Sequence, residues 1–245
     1  MALQEAEFSD LAQDVANAFW PGPLTMVLPL ATSHTVCDLA RSGLDTIGLR
    51  YPSHSVAINL ITAFGGPLVA PSANPSGKMS PTRARHIRDE MGDRVDLILD
   101  GGGSELGVES TIISVADDST SLLRAGALAA EDIEGLLGKP LVRPQLDPNA
   151  PSSPGQMLRH YAPNAALRLN ADGPQDGEAW LGFGANMQGD GLNLSPSGDL
   201  IEAAARLFAA LRALDARYGK IAVAPIPKQG LGEAINDRLE RAAQA

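Results

Sequence analysis

The sequence predicts an α/β protein in two domains, and three observations carry that prediction. Short apolar segments with strand character alternate with amphipathic helical segments through the first 139 residues. A proline-rich stretch then interrupts the periodicity, with Pro140, Pro144, Pro148, Pro151, Pro154 and Pro163 close together. Beyond it the alternation resumes in the order strand, strand, helix, strand, helix. The expected division is therefore a catalytic-sized domain over 1–139, a linker over 140–164 and a small α/β domain over 165–245.

Ser9 can cap a helix whose Leu11, Val15, Ala18 and Phe19 share one face, with Pro21 to stop it. Leu24 to Leu30 and Thr46 to Leu49 read as strands, and Val56 to Phe64 as a helix closed by Gly65-Gly66-Pro67. Leu68-Val69-Ala70 reads as another short strand. Ser80 as N-cap with Pro81 behind it predicts a helix bearing Ala84, Ile87 and Met91. Val95 to Leu99 is expected to be a strand, and 111–116 and 121–124 two strands turning at Asp117-Asp118. Glu131 to Leu137 predicts a short helix. In the second domain, Ala166–Leu169 and Trp180–Phe183 read as strands. A long helix is expected from about Asp199, carrying Leu200, Leu207, Leu211, Leu214 and Tyr218 and ending at Gly219. Ile221–Ala224 and Glu233–Ala243 complete the domain as strand and helix.

Composition narrows the function classes. With 44% hydrophobic and 20% charged residues, the 245-residue chain is ordinary globular material. It has no apolar run of about eighteen residues to span a bilayer, and the acidic start Met1–Glu7 lacks the apolar core of a signal peptide. The lone Cys37 excludes an internal disulfide and reads as a small buried residue in a reducing, cytoplasmic setting. A formal charge of −10 opposes tight non-specific binding to nucleic acid, which depends on Lys and Arg. Lys78, Arg83, Arg85, His86 and Arg88 form a local basic exception, either a solvated helix face or a phosphate-facing patch.

Five segments carry polar groups where chemistry could occur. Ala70-Pro71-Ser72-Ala73-Asn74-Pro75-Ser76-Gly77-Lys78 offers small hydroxyl and amide groups, with a helix start close behind, which suits an anion. Its spacing is not that of a P-loop. Arg50 and Arg124 each end an apolar strand, where a guanidinium fork can meet a carboxylate or phosphate. Gly107-Val108-Glu109-Ser110-Thr111-Ile112 is a polar entry into a strand. His160-Tyr161 forms an aromatic tip in the linker, within Ser153–Pro163. His34, His54, His86 and His160 are scattered, so no metal-ligand spacing exists, and no catalytic residue is assigned. The residues alone support an α/β anion-binding protein of two domains.

Trp20-Pro21-Gly22-Pro23-Leu24-Thr25, Ile47-Gly48-Leu49-Arg50, Ala70–Gly77, Glu109-Ser110-Thr111-Ile112 and Leu123-Arg124-Ala125-Gly126, in that order, resemble the YrdC domain. Ser153–Pro163, followed by a small domain ending in Gly230-Leu231-Gly232 and Asn236-Asp237-Arg238-Leu239, is similar to the two-domain branch of that family. The resemblance implies a twisted open mixed sheet with helices plus a small Rossmann-like α/β domain. It implies formation of L-threonylcarbamoyladenylate and pyrophosphate from L-threonine, bicarbonate and ATP, with Mg2+ accompanying ATP. The product serves a downstream tRNA threonylcarbamoyl transferase that modifies adenosine 37, with little direct tRNA binding expected here. Mapped by the resemblance, Arg50, Ser72 and Ser110 bind threonine. Thr46, Asn74, Thr82, Arg124, His160 and Tyr161 bind ATP, the last two as a lid carried by the linker. Family members begin with a further strand-helix-strand region bearing a Lys/Arg-x-Arg segment. Nothing like it precedes Phe8, so an N-terminally incomplete domain is expected, with an exposed sheet edge. A non-catalytic nucleotide- or RNA-binding module, or an inactive remnant, is the alternative.

Overall fold

The computed structural model describes residues 1–75, 77–116, 119–144 and 161–244. By internal packing the chain divides into two compact units, Met1–Pro71 with Ser110–Gln156, and Ser72–Glu109 with Met157–Ala245.

The first unit opens with α1 (Ala2–Glu5) and α2 (Asp10–Phe19), the latter capped by the Ser9 hydroxyl, which accepts from Ala12 N at 3.2 Å. Then follow β1 (Leu24–Pro29), a 3₁₀ turn at Asp38–Arg41, β2 (Thr46–Leu49) and α3 (Ser55–Phe64), which Gly65 ends in left-handed conformation. β3 (Thr111–Val115), β4 (Thr120–Arg124) and α5 (Ala130–Leu137) complete it. The sheet order is β2-β1-β3-β4, with β1 and β3 parallel and the outer strands antiparallel to them. One face is apolar. Leu24, Met26, Leu28, Ile47, Ile113, Val115 and Leu122 pack there against Ala12, Val15 and Ile133. Glu5 is buried beside this core, where its carboxylate accepts from Thr35 N, the Thr35 hydroxyl and Val36 N at 2.7–3.1 Å. Burial raises its pKa, but these three donors outweigh that and hold it below the ordinary glutamate value.

The second unit contains α4 (Ala84–Met91), a short 3₁₀ turn at Gly92–Arg94, and then β5 (Ala166–Arg168), β6 (Ala179–Gly182), β7 (Gly191–Asn193), α6 (Leu200–Asp215), β8 (Lys220–Val223) and α7 (Leu231–Ala242). Its sheet, β5-β8-β6-β7, is wholly parallel. All four residues of β6 are buried, as are Ile221, Ala222 and Val223 of β8. Such continuous burial marks a sheet covered on both faces.

Several expectations need correcting. Leu68-Val69-Ala70 and Val95–Leu99 do not form strands; Val69 is 65% exposed and Leu97 76%. β-propensity makes a strand only where a neighbouring strand completes its hydrogen bonds, and no described strand lies beside either segment. The helix predicted from Ser80 begins at Ala84, because the Ser80 hydroxyl donates to Glu109 rather than capping. The long helix stops at Asp215, short of Gly219, and β7 went unread because Gly-Leu-Asn carries no strand pattern. Cys37 is exposed instead of buried. The turn at Asp117-Asp118 lies outside the described residues, as do Gln145–His160 of the linker.

Candidate functional site

The second face of the first sheet carries polar residues at one end, and strand register determines which residues share it. Met26 pairs with Leu49 and Leu28 with Ile47 on the core side. Thr25, Val27, Thr46, Gly48 and, one residue past β2, Arg50 therefore fall on the other side. Thr25 pairs with Ile112 and Ile112 with Arg124, which brings Ser110 and Arg124 to the same face. All four strands thus deliver a polar residue to one end of the sheet. β1 and β3 begin there; β2 and β4 end there.

Local contacts hold this end together. The Thr25 and Ser110 hydroxyls lie 2.8 Å apart. Arg124 donates from Nε and Nη2 to the Ser110 carbonyl at 3.1 and 2.8 Å, and from Nη2 to the Ser110 hydroxyl at 3.1 Å. The turn before β1 is pinned by Trp20 Nε1 donating to the Leu24 carbonyl and by Gly22 N donating to the Tyr51 carbonyl, both at 2.8 Å. A Cβ on Gly22 would stand 2.3 Å from the Phe19 carbonyl oxygen, so only glycine closes this turn. The same hydrogen bond fixes the chain next to Arg50.

Arg50 differs from Arg124. It is exposed, and no carboxylate or carbonyl pairs with it in the described residues. Surrounding atoms desolvate its guanidinium and lower its pKa from the ordinary arginine value, with no carboxylate to offset them. A permanent cation in that state is complementary to an incoming anion. Thr46 is half-buried on the same face, about 13 Å away along β2.

The other predicted site residues belong to the second unit. Ser72 is exposed. Asn74 is buried, and its Nδ2 donates to the Pro75 and Lys78 carbonyls at 3.0 and 2.9 Å. Its Oδ1 is buried without a hydrogen-bond partner among the described residues, an acceptor that a ligand donor could satisfy. Thr82 is buried, and its N–H is taken by His86 Nδ1 at 3.2 Å. Burial first, then the positive charges of Arg212 and Arg85, lowers the His86 pKa, so this member of the basic cluster is neutral near pH 7. Tyr161 is buried against the Phe208 ring, 5.3 Å between centroids, with the Arg238 guanidinium carbon 5.2 Å from its centre. His160 lies outside the described residues.

Thr25 was missed, although the alternation Leu24-Thr25-Met26 already sets its hydroxyl opposite the core face. Glu109 lies in the same motif as Ser110, and nothing local in the sequence marks its role. No grouping of three or more His, Cys, Asp or Glu able to hold a metal exists among the described residues. None of the described helices is long and apolar enough to cross a membrane.

Comparison with known proteins agrees with this architecture. Residues 1–126 match the Sua5/YciO/YrdC family, described as telomere recombination, and residues 128–244 match the threonylcarbamoyl-AMP synthase C-terminal domain. A threonylcarbamoyl-AMP synthase of Pyrococcus abyssi is 37% identical over 257 residues, covering 97% of this chain and 75% of the relative. One of Bacillus subtilis is 36% identical over 252 residues, covering 95% and 72%. The crystal structure of P. abyssi Sua5 complexed with L-threonine superposes with a TM-score of 0.87 at 34% identity, covering 98% of this chain and 76% of that one. The chain belongs to the Sua5/YciO/YrdC family, in the branch that carries the threonylcarbamoyl-AMP synthase C-terminal domain.

Proposed function

We propose that the chain is an L-threonylcarbamoyladenylate synthase, which joins L-threonine, bicarbonate and ATP into threonylcarbamoyl-AMP and pyrophosphate. The observation that carries this reading is Arg50, a guanidinium unpaired among the described residues, at the polar end of the first sheet beside the Thr25–Ser110–Arg124 hydrogen-bond chain. Relatives of that name over nearly the whole chain, and a similar structure holding L-threonine, support it.

Arg50 pairs with the threonine carboxylate through a charge-assisted fork. Ser110, with its hydroxyl already ordered by Thr25 and Arg124, presents a fixed polar edge beside it. The threonine amine adds to CO2 derived from bicarbonate, giving a carbamate and releasing a proton to solvent. A carbamate oxygen then attacks the α-phosphorus of ATP, the bond from that phosphorus to the bridging oxygen breaks, and pyrophosphate leaves. A deprotonated carbamate needs no further base, so the protein's task is to align the two reactants and stabilise charge on phosphate oxygens. Arg124 and Thr46 on the same face are assigned to ATP, together with Asn74, Thr82, His160 and Tyr161, and Ser72 to threonine. Magnesium neutralises triphosphate when bound. It would accompany ATP, bound to the phosphate oxygens. The linker 140–164 acts as a lid, and the product passes to a tRNA threonylcarbamoyl transferase in the cytoplasm. With a net charge of −10, this chain has no strong hold on tRNA itself.

The test is pyrophosphate release from ATP measured with each substrate withheld in turn. Release that requires both threonine and bicarbonate is expected. Release that proceeds equally without threonine overturns the reading.

A further inference from the structure

Ser110 is buried at the start of β3, and its two polar groups are held by different means. Arg124 grips the Ser110 carbonyl from Nε and Nη2, so the backbone is fixed whatever the hydroxyl does. A guanidinium can only donate, so its Nη2 contact with the Ser110 hydroxyl at 3.1 Å occupies one lone pair of that oxygen. The Thr25 hydroxyl lies 2.8 Å away, and this second contact can run in either direction. Among the described residues no other hydrogen bond engages either hydroxyl.

The two directions leave different groups for a ligand. If Ser110 donates to Thr25, the Ser110 oxygen keeps a bare lone pair and has no proton to offer. If Thr25 donates to Ser110, both Ser110 lone pairs are filled and its proton is the one group left unused. A carboxylate drawn to Arg50 is an acceptor only, so it favours the second direction. Thr25, Ser110 and the anion then form a chain of donors running one way, in which each bond polarises the next.

Thr25 is placed for this part. It sits on β1, between β2 and β3. The β1–β2 register, continued one residue past Met26–Leu49, sets it across from Arg50, while Ile112 of β3 flanks its other side. Its methyl faces β2, 3.5 Å from where a Gly48 Cβ would stand, and its hydroxyl faces β3. β-Branching restricts χ1, so these two directions are set together.

We propose that Thr25 is a positioning residue for the threonine anion: by filling the last lone pair of Ser110 it commits that hydroxyl to donate. This rests on the function stated above.

The test uses the whole chain with Thr25→Val, which keeps the shape and loses the hydroxyl, Thr25→Ala, which loses both, and Thr25→Ser, which keeps the hydroxyl. Each is made alone and in a Ser110→Ala background. The Kd for L-threonine is measured by calorimetry, and the KM for ATP from pyrophosphate release. Thr25→Val and Thr25→Ala should each raise the threonine Kd about tenfold, Thr25→Ser should stay within about twofold of the parent, and the ATP KM should move less than about twofold. With Ser110→Ala already present, Thr25→Val should have no further effect on the threonine Kd, because the residue acts through that hydroxyl. An unchanged Kd in the single variants overturns the proposal, as does a Kd raised equally by Thr25→Ser. An effect of Thr25→Val that persists undiminished in the Ser110→Ala background also overturns it. A parent chain that binds no L-threonine overturns the function above and this proposal with it, whereas a parent that binds and variants that bind equally well overturn this proposal alone.

Discussion

The two sheets of this protein are both four-stranded, yet they expose opposite characters. The first is mixed, with an apolar face against α2 and α5 and a polar face lined by Thr25, Ser110, Arg50 and Arg124. The second is wholly parallel, with β6 and most of β8 buried on both sides. β3 is buried on both of its faces, with Ile112 at 2% and Ile113 at 0% exposure, so the first sheet leaves ligand chemistry to the polar residues at its end, whereas β6 and the buried run of β8 are apolar throughout. The first sheet thus gathers polar groups at one end, while helices of the second unit hold another segment, as α6 and α7 hold 107–109.

Substitutions should separate these roles. The largest effect on stability belongs to the second sheet. Leu181→Ala, at a fully buried position of β6, should lower unfolding free energy by about 2–5 kcal/mol in denaturant titration while leaving the threonine KM of the folded fraction unchanged. A shifted KM would break the division of labour. Next comes Arg50→Ala, which should weaken threonine binding by about 1.5–3 kcal/mol in calorimetry without moving the melting temperature, since the side chain is exposed and unpaired. Unaltered threonine affinity would remove Arg50 from the site.

Acid should weaken both units, through different carboxylates. Glu178 is held at about 2, first by its hydrogen bond from Arg168, and Glu5 is held below its ordinary value by the donors of Thr35 and Val36. A folded pKa below the unfolded value of 4.5 contributes stability that is complete above pH 4.5 and declines as pH falls toward the folded value. Glu178→Gln and Glu5→Gln should each flatten the acid side of a plot of melting temperature against pH. An unchanged slope in Glu5→Gln would show that folding does not shift the pKa of this carboxylate. The smallest effect is expected at Arg206→Ala. It breaks an exposed i,i+4 pair with Glu202 on α6 and should cost about 0.3–0.5 kcal/mol, detectable as a small shift of the denaturation midpoint.

Much of the fold was legible from local pattern. Ser9 and Asp199 do cap the helices that follow them, and Leu24–Pro29, Thr46–Leu49, Thr120–Arg124 and Ala179–Gly182 are strands as their alternation or apolar runs imply. The failures share one cause. Leu68–Ala70 and Val95–Leu99 have strand-forming residues, but pairing is a property of the neighbour, and the sequence of a segment says nothing of what lies beside it. Ser80 has the chemistry of a cap, and Glu109, distant in sequence, takes its hydroxyl instead.

The candidate site divides along the same line. Arg50 and Arg124 announce themselves as charges closing apolar strands, and the ordered motifs around them identify the family, because residue type and spacing are written in the chain. That the two arginines, Thr25 and Ser110 lie on one face at one end of a sheet depends on strand order and register, through which β1 pairs with both β2 and β3. That Glu109 and Tyr161 share the buried guanidinium of Arg238 depends on packing between residues 77 and 129 positions apart. Local chemistry determined which groups this protein possesses, and long-range pairing decided which of them meet.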